Sequence, residues 1–466
     1  MSILIPINAI NKRETSKYNL RLLRCNVEFK LGIFMERSLK HLMISMFFGS
    51  VFSVGTAPYV ITCLLKGLNA NLTQMALLPF IVQCGGCLGL PLACSLWRLE
   101  SKSATILLLF LGRTFVLILT ASLLLPFCRG NSGPLLVISL YALSVVISSA
   151  SSGPATAWFK DILPLHRQSS FIGWRNAFGG LVIAVLTPLF GLLLDKGALS
   201  GLATSTLFTV LMLIPLVAGF LDLYFLGRVA GSGTSTDSSS FKSLKRLVHD
   251  LKNPALWKAS LLPVISQGAV LWLAPFMIVL CFEMGMGCFS TGLFSAVSTL
   301  GLAAGMVCGG RLSDASPGNV RTILVFLPLV MVAVILALLV IITLFFSGRI
   351  GVLHSTILLM PCFLFLMFAQ GMIQSAQIKY AFALISEGGT IAFSFLASLQ
   401  NILSSLVLGV SIILGSWAAA HTEILKSALF PSFHYLHLIF ACSIASGLLA
   451  SIILKRVDLF GKKAEE

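Results

Sequence analysis

Long apolar stretches recur at near-regular intervals along this chain, from residue 42 to residue 455, separated by short polar segments. A helix needs about 20 mostly apolar residues to cross the hydrocarbon core of a bilayer. Twelve runs reach that length, near 42–65, 74–96, 104–127, 134–158, 171–194, 202–227, 257–281, 288–310, 322–346, 353–378, 389–417 and 433–455. The strands of a membrane barrel would be short and alternating, so the pattern predicts an all-α integral membrane protein. Six runs precede one long polar stretch and six follow it. This predicts 12 transmembrane helices as two six-helix bundles related by pseudo-two-fold symmetry, numbered here as spans 1 to 12.

Composition agrees: 57% of residues are hydrophobic, 10% are charged and the mean hydropathy is +0.98, too apolar for a globule in water. The net charge of +16 would suggest nucleic acid in a soluble protein. Here the basic residues follow topology. With the N-terminus inside, 25 of the 32 lysines and arginines fall on the inner side and 5 on the outer, Lys66, Arg129, Lys196, Arg349 and Lys426. Positive loops stay cytoplasmic, so both termini are expected in the cytoplasm. The charge then implies contact with anionic lipid heads and no nucleic-acid partner.

The expected domains are a cytoplasmic tail over 1–40, an N-terminal bundle over 41–228, a linker over 229–255, a C-terminal bundle over 256–456 and a tail over 457–466. Residues 1–34 read as a disordered tail or as an extension upstream of a start at Met35. In the linker, GSGTSTDSSS (231–240) is too polar to form a core. The following FKSLKRLVHDLKNP places Phe241, Leu244, Val248 and Leu251 on one helical face with basic residues around them, a short amphipathic helix for the inner membrane surface.

Little in the chain suggests chemistry. The 11 cysteines are odd in number and mostly intramembrane, which argues against a disulfide framework. Cys84 and Cys87 in QCGGC have metal or redox spacing but no nearby histidine, and read as small packing residues. His434 and His437, with Glu423 upstream, read as interfacial anchors. No GxxxxGK[ST] loop occurs, so ATP-driven transport is not expected. The chain is expected to be no enzyme and to carry no metal or cofactor.

Two local motifs carry a resemblance. GGRLSDASPGNVR lies between spans 8 and 9, and AWFKDILPLHRQSSFIGWRN between spans 4 and 5. With the six-plus-six arrangement they resemble the major facilitator superfamily of bacterial transporters. In that resemblance Gly310 lets helices approach, Asp314 faces a neighbouring helix end or an arginine as a latch, and Gly318 and Arg321 shape the turn. Asp161, Arg167 and Arg175 are the matching gate positions of the other loop. Ala315 replaces the basic residue expected after the aspartate, and the first half lacks the aspartate in its corresponding loop.

The resemblance also implies that spans 1, 4, 7 and 10 line a central pathway. Span 4 offers Tyr141, Ser144, Ser148 and Ser152 on one stripe, at spacings of three and four. Span 10 offers Gln370, Gln374 and Gln377 on one face; span 7 adds Gln267 and Trp272, and span 1 adds Tyr59. Serines also let helices pack and glutamines also bond between helices, but three large amides on one face favour a substrate role.

Arg113, in LLLFLGRTFVLIL, lies about 16 Å along a helix from Lys102, near mid-membrane. A charge there is costly. Arg113 is expected to be a structural charge that reaches inward towards Asp222 in span 6.

The expected function is alternating-access transport of a small solute, by secondary coupling or facilitated diffusion. Asp222 is the one acidic residue clearly inside a span, which favours neutral or anionic over cationic cargo. The coupling ion, H+ or Na+, stays open, and the expected form is a monomer in a bacterial inner membrane. The alternatives are multidrug or lipid-like efflux by the same fold, a membrane enzyme, or a non-transporting sensor.

Overall fold

A computed structural model describes residues 38–88, 99–125, 132–162, 168–199, 204–231, 254–384, 390–428 and 433–456. Residues 1–37 of the first tail, the second tail, residues 241–253 of the linker and Arg167 lie outside the described residues. Regular structure among the described residues is entirely helical. Among the described residues, eleven helices are long and apolar enough to cross a membrane, the first being Ser38–Gly67 and the last Tyr435–Lys455. Of span 2, the described residues hold the helix Leu72–Gly85 and a 3-10 turn at Gly86–Leu88.

Three spans are broken where the apolar runs showed no interruption. Span 1 opens at Thr56 and Ala57, ahead of a second segment Pro58–Gly67. Span 4 divides into Gly133–Ser149 and Ser152–Ile162, and span 7 into Pro254–Leu273 and Met277–Glu283 around Pro275. Proline lacks the N–H and crowds the carbonyl one turn back, which accounts for the breaks at Pro58 and Pro275. Elsewhere helices outlast the apolar runs: span 5 covers Gln168–Leu199 and span 10 covers Val352–Leu384. Hydropathy marks the part of a helix that needs lipid, and backbone bonding continues into the polar interface.

Small residues decide which helices touch. Gly301, Gly305 and Gly309 form a stripe on span 8, and a Cβ at Gly305 would fall 2.0 Å from the Phe368 carbonyl of span 10. Gly371 returns the approach from span 10, where a Cβ would lie 2.2 Å from the Leu302 carbonyl. Close backbone approach of this kind holds helices together in lipid, where burial alone supplies no drive.

Span 8 also meets the other half. Along span 5, Gly173 lies against the Met306 carbonyl, Gly180 against Ala303, and Gly191 against the Cys288 carbonyl. Spans 2 and 11 form a second seam, with Gly86 against Asn401, and Cys87 Sγ 3.8 Å from Ser405 Oγ. The two halves therefore join through spans 5 and 8 and through spans 2 and 11.

Candidate functional site

The C-terminal half brings amides together between spans 7 and 10. Gln267 Nε2 donates to Gln377 Oε1 at 2.7 Å, and Gln377 Nε2 donates to Ser266 Oγ at 2.7 Å. The chain ends in backbone, since the Ser266 hydroxyl donates to the Leu262 carbonyl at 2.8 Å. Two turns before Gln377 on span 10, Gln370 is 5% exposed and its Oε1 accepts no hydrogen bond. Gln374, between them, is half-buried. A buried amide oxygen without a donor is costly, so this face retains capacity for an outside hydroxyl or N–H group. Trp272 is half-buried on span 7, and its carbonyl accepts from Ser411 of span 11 at 2.7 Å.

The serine stripe of span 4 turns to span 3. Ser144 Oγ donates to the Gly112 carbonyl at 2.9 Å, and a Cβ on Gly112 would lie 2.0 Å from Ser148 Oγ. These are packing contacts between two helices of one bundle. Ser152 lies beyond the break in span 4 and is exposed. Tyr141 is buried and donates to the Thr56 carbonyl at 3.2 Å, at the break in span 1.

Tyr59 belongs to the seam between the halves. Its hydroxyl donates to the carbonyl of Cys288, the first residue of span 8. Nearby, Cys63, one turn after Tyr59, and Cys288 pack in the same apolar cluster. Asp195, near the C-terminal end of span 5, accepts from the backbone N–H groups of Cys288 at 3.1 Å and Phe289 at 2.8 Å. It thus caps the first turn of a helix in the opposite half, where a carboxylate meets the positive end of the helix dipole. Lys66 sits 4.2 Å over the ring of Phe282. Sequence reasoning missed Asp195, whose sequence signal is slight: an acidic residue at a span end, with its partner 93 positions away.

At the other end of span 8, Asp314 pairs with Lys379 of span 10 at 3.0 Å, a lysine where the resemblance implied a helix end or an arginine. Gly310 is buried near the inner end of span 8. The turn after it is made by Ser316, whose side chain accepts from Gly318 N–H at 3.2 Å, while Asn319 Nδ2 donates to the Leu312 carbonyl at 3.0 Å. Arg321 is exposed. Asp161 lies in the helix Ser152–Ile162, and its side chain is outside the description. Across the seam, Arg311 stacks 5.2 Å over Trp174. Arg175 lies 4.9 Å over Phe159.

Arg113 and Asp222 form a buried ion pair between spans 3 and 6, at 4% and 9% side-chain exposure. The second carboxylate oxygen accepts from Ser45 of span 1. Arg113 also lies 5.2 Å over the ring of Phe52.

The model for the Major Facilitator Superfamily matches residues 42–409. The chain belongs to the major facilitator superfamily. Among solved structures, a crystal structure of a D-xylose–proton symporter is similar at TM-score 0.65 and 13% identity, over 92% of this chain and 99% of that one. A proton:xylose symporter of the superfamily bound to 6-bromo-6-deoxy-D-glucose is similar at TM-score 0.59 and 13% identity, over 91% and 96%. No curated protein matches the chain. At this identity the likeness to solved structures is one of fold, that of 12 helices in two domains. Membership in the superfamily makes the protein an integral membrane transporter of small solutes, of the secondary class.

Proposed function

We propose that this protein moves a small hydroxylated solute, neutral or anionic, by rocking its two halves around a site whose specificity face lies on spans 7 and 10. The observation that carries the reading is the amide wall. Gln267, Gln377 and Ser266 are already joined, which fixes the wall, while Gln370 keeps a buried oxygen without a donor and Gln374 is half-buried beside it. Amides offer donors and acceptors without charge, as hydroxyl groups require. Asp222, engaged by Arg113 and Ser45, is poorly placed to receive a cation. The similar symporters are named for D-xylose and protons, which makes a sugar-like cargo and H+ coupling the first pair to try, with Na+ second. The setting of this reading is a monomer among lipids in a bacterial inner membrane, with both termini cytoplasmic.

Thermal unfolding of the detergent-purified protein against sugars, polyols, nucleosides, amino acids and organic acids tests this reading. A ligand at 100 times its Kd stabilises the folded state by about 2.7 kcal/mol. The Gln370→Ala/Gln374→Ala protein should fold normally, lose that stabilisation and lose flux in proteoliposomes. Wild-type flux by the double variant would remove span 10 from the site, and ligand binding without flux would favour a sensor.

A further inference from the structure

The second segment of span 7, Met277–Glu283, touches both halves of the protein. Ile278 and Phe282 pack against the core of the N-terminal half, with Lys66 lying 4.2 Å over the Phe282 ring, while Leu280 and Cys281 are buried in the core of the C-terminal half. The last residue of the segment is held to the start of span 12. Glu283 Oε1 accepts from the Tyr435 hydroxyl at 2.8 Å, and Oε2 stands 3.6 Å from Nε2 of His434, the residue before span 12. Phe276, at the break in span 7, meets the Tyr435 ring edge-on at 5.9 Å.

His434 is set in place as a neutral ring. It lies flat on Phe346 of span 9, with ring centroids 3.9 Å apart and planes 8° from parallel. Its Nδ1 accepts the Leu436 N–H at 3.4 Å, which leaves the ring proton on Nε2, towards Glu283. A second proton would have to enter at Nδ1, where that N–H already points. His437 is engaged at both nitrogens: Nδ1 accepts the His434 N–H at 3.0 Å, and Nε2 reaches Thr343 Oγ1 of span 9 at 2.9 Å. The remaining charged group near His434 is Lys426, itself paired with Glu423 at 2.9 Å. Burial foremost, then His437 and Lys426, pushes the His434 ring down to about 4, against the attraction of Glu283. The side chains of His434 and Glu283 keep 19% and 27% of their exposure, so water reaches both.

We propose that Glu283, Tyr435 and His434 form a pH-sensitive latch, which holds the second segment of span 7 on span 12 while His434 is neutral and releases it when acid charges the ring. An unburied histidine takes its proton near 6.5 and the latched ring near 4, so the released form binds more protons. The latch is therefore whole above about pH 6.5 and is lost as the pH falls towards 4. Acidity thus frees a segment that lies across the seam between the halves. The latch is separate from the amide wall on spans 7 and 10 and does not depend on it.

The test uses the full-length protein in detergent, with Cys281 kept and every other cysteine changed to serine. Cys281 lies on the segment and is 4% exposed, so a maleimide reaches it when the segment lifts. Labelling is followed from pH 8 to pH 5, and each rate is divided by that of the unfolded protein at the same pH, which removes the titration of the thiol. The relative rate should rise with acid by up to about thirty-fold, the ratio set by a change from 6.5 to about 4. His434→Gln should fold and label at a rate independent of pH. His434→Phe, which keeps a ring to stack on Phe346, should be equally flat. Tyr435→Phe should raise the rate at pH 8 and keep the acid rise. Gln370→Ala/Gln374→Ala should keep both rate and rise, so failure of the amide-wall reading and failure of the latch give different results. A relative rate that is level or falls with acid while His434 is present, or an acid rise that survives both His434 substitutions, overturns the proposal.

Discussion

Tyr59, on the second segment of span 1, donates its hydroxyl to the backbone carbonyl of Cys288 at the start of span 8, tying one half of the protein to the other. The bond can exist only while these ends of the halves are together. It therefore contributes to the stability of the state closed at this face over any state in which those ends part.

Tyr59→Phe removes that bond and little else. A neutral hydrogen bond contributes about 1 kcal/mol, so the closed-to-open ratio at this face should fall about five-fold. In a background whose other cysteines are serine, labelling of Cys288 by a membrane-impermeant maleimide should quicken by about that factor. An unchanged rate would show that Tyr59 is no part of the seal.

Asp195 should matter more, because its two bonds to the first turn of span 8 are charge-assisted. Bonds to an ionised group contribute about 1.5–3 kcal/mol. Asp195→Ala should open the outer face beyond the effect of Tyr59→Phe in the same labelling assay. Asp195→Asn, which keeps an acceptor, should fall between the two; equal effects of both substitutions would argue against the cap.

Cys63 and Cys288, from opposite halves, pack in one apolar cluster at the same seam. A short bifunctional methanethiosulfonate should join them, stop flux in proteoliposomes, and release it on reduction. Cys63→Ser should make the protein insensitive. Continued flux through cross-linked protein would mean that the outer ends need not separate.

Arg113 and Asp222 form a buried pair whose separation leaves an unmet charge in lipid. Breaking such a pair by removing one partner costs about 3–5 kcal/mol, while replacing both with apolar groups costs much less. Arg113→Leu and Asp222→Leu should each lower membrane abundance and the unfolding midpoint, and the double variant should recover most of the loss. Additive losses would show that the two residues act separately.

Gly305 and Gly227 offer a contrast in packing. A Cβ at Gly305 would fall 2.0 Å from a backbone oxygen of span 10, whereas nothing lies within 4 Å of one at Gly227. Gly305→Ala should destabilise by about 1–3 kcal/mol, and Gly227→Ala should stay within about 0.5 kcal/mol. Their unfolding midpoints check the pair directly.

Much of the fold was legible in the sequence because each span carries its own signal. In lipid a helix satisfies every backbone group internally, so a run of about 20 apolar residues announces itself without reference to its neighbours. The breaks were less legible: proline occurs both at the break of span 7, as Pro275, and inside unbroken span 10, as Pro361. The face shared by Gln370, Gln374 and Gln377 follows from helical periodicity, but the bond from Gln267 to Gln377 spans 110 positions. The stripe of Ser144 and Ser148 was equally readable, and its neighbour, Gly112 of span 3, was not.

By itself, then, the sequence determined that this is a helical membrane protein of two six-span halves, which intramembrane positions are polar, and that Arg113 sits near mid-membrane and needs a partner. Those properties rest on composition and periodicity within single helices. Only the tertiary structure decided that Asp195 caps a helix of the opposite half, that Tyr59 lies in a seam, and that Asp222 divides its carboxylate between Arg113 and Ser45. Each of these depends on which helix faces meet, and in a bilayer that choice is made by close approach at glycines and by a few polar contacts between residues far apart in the chain.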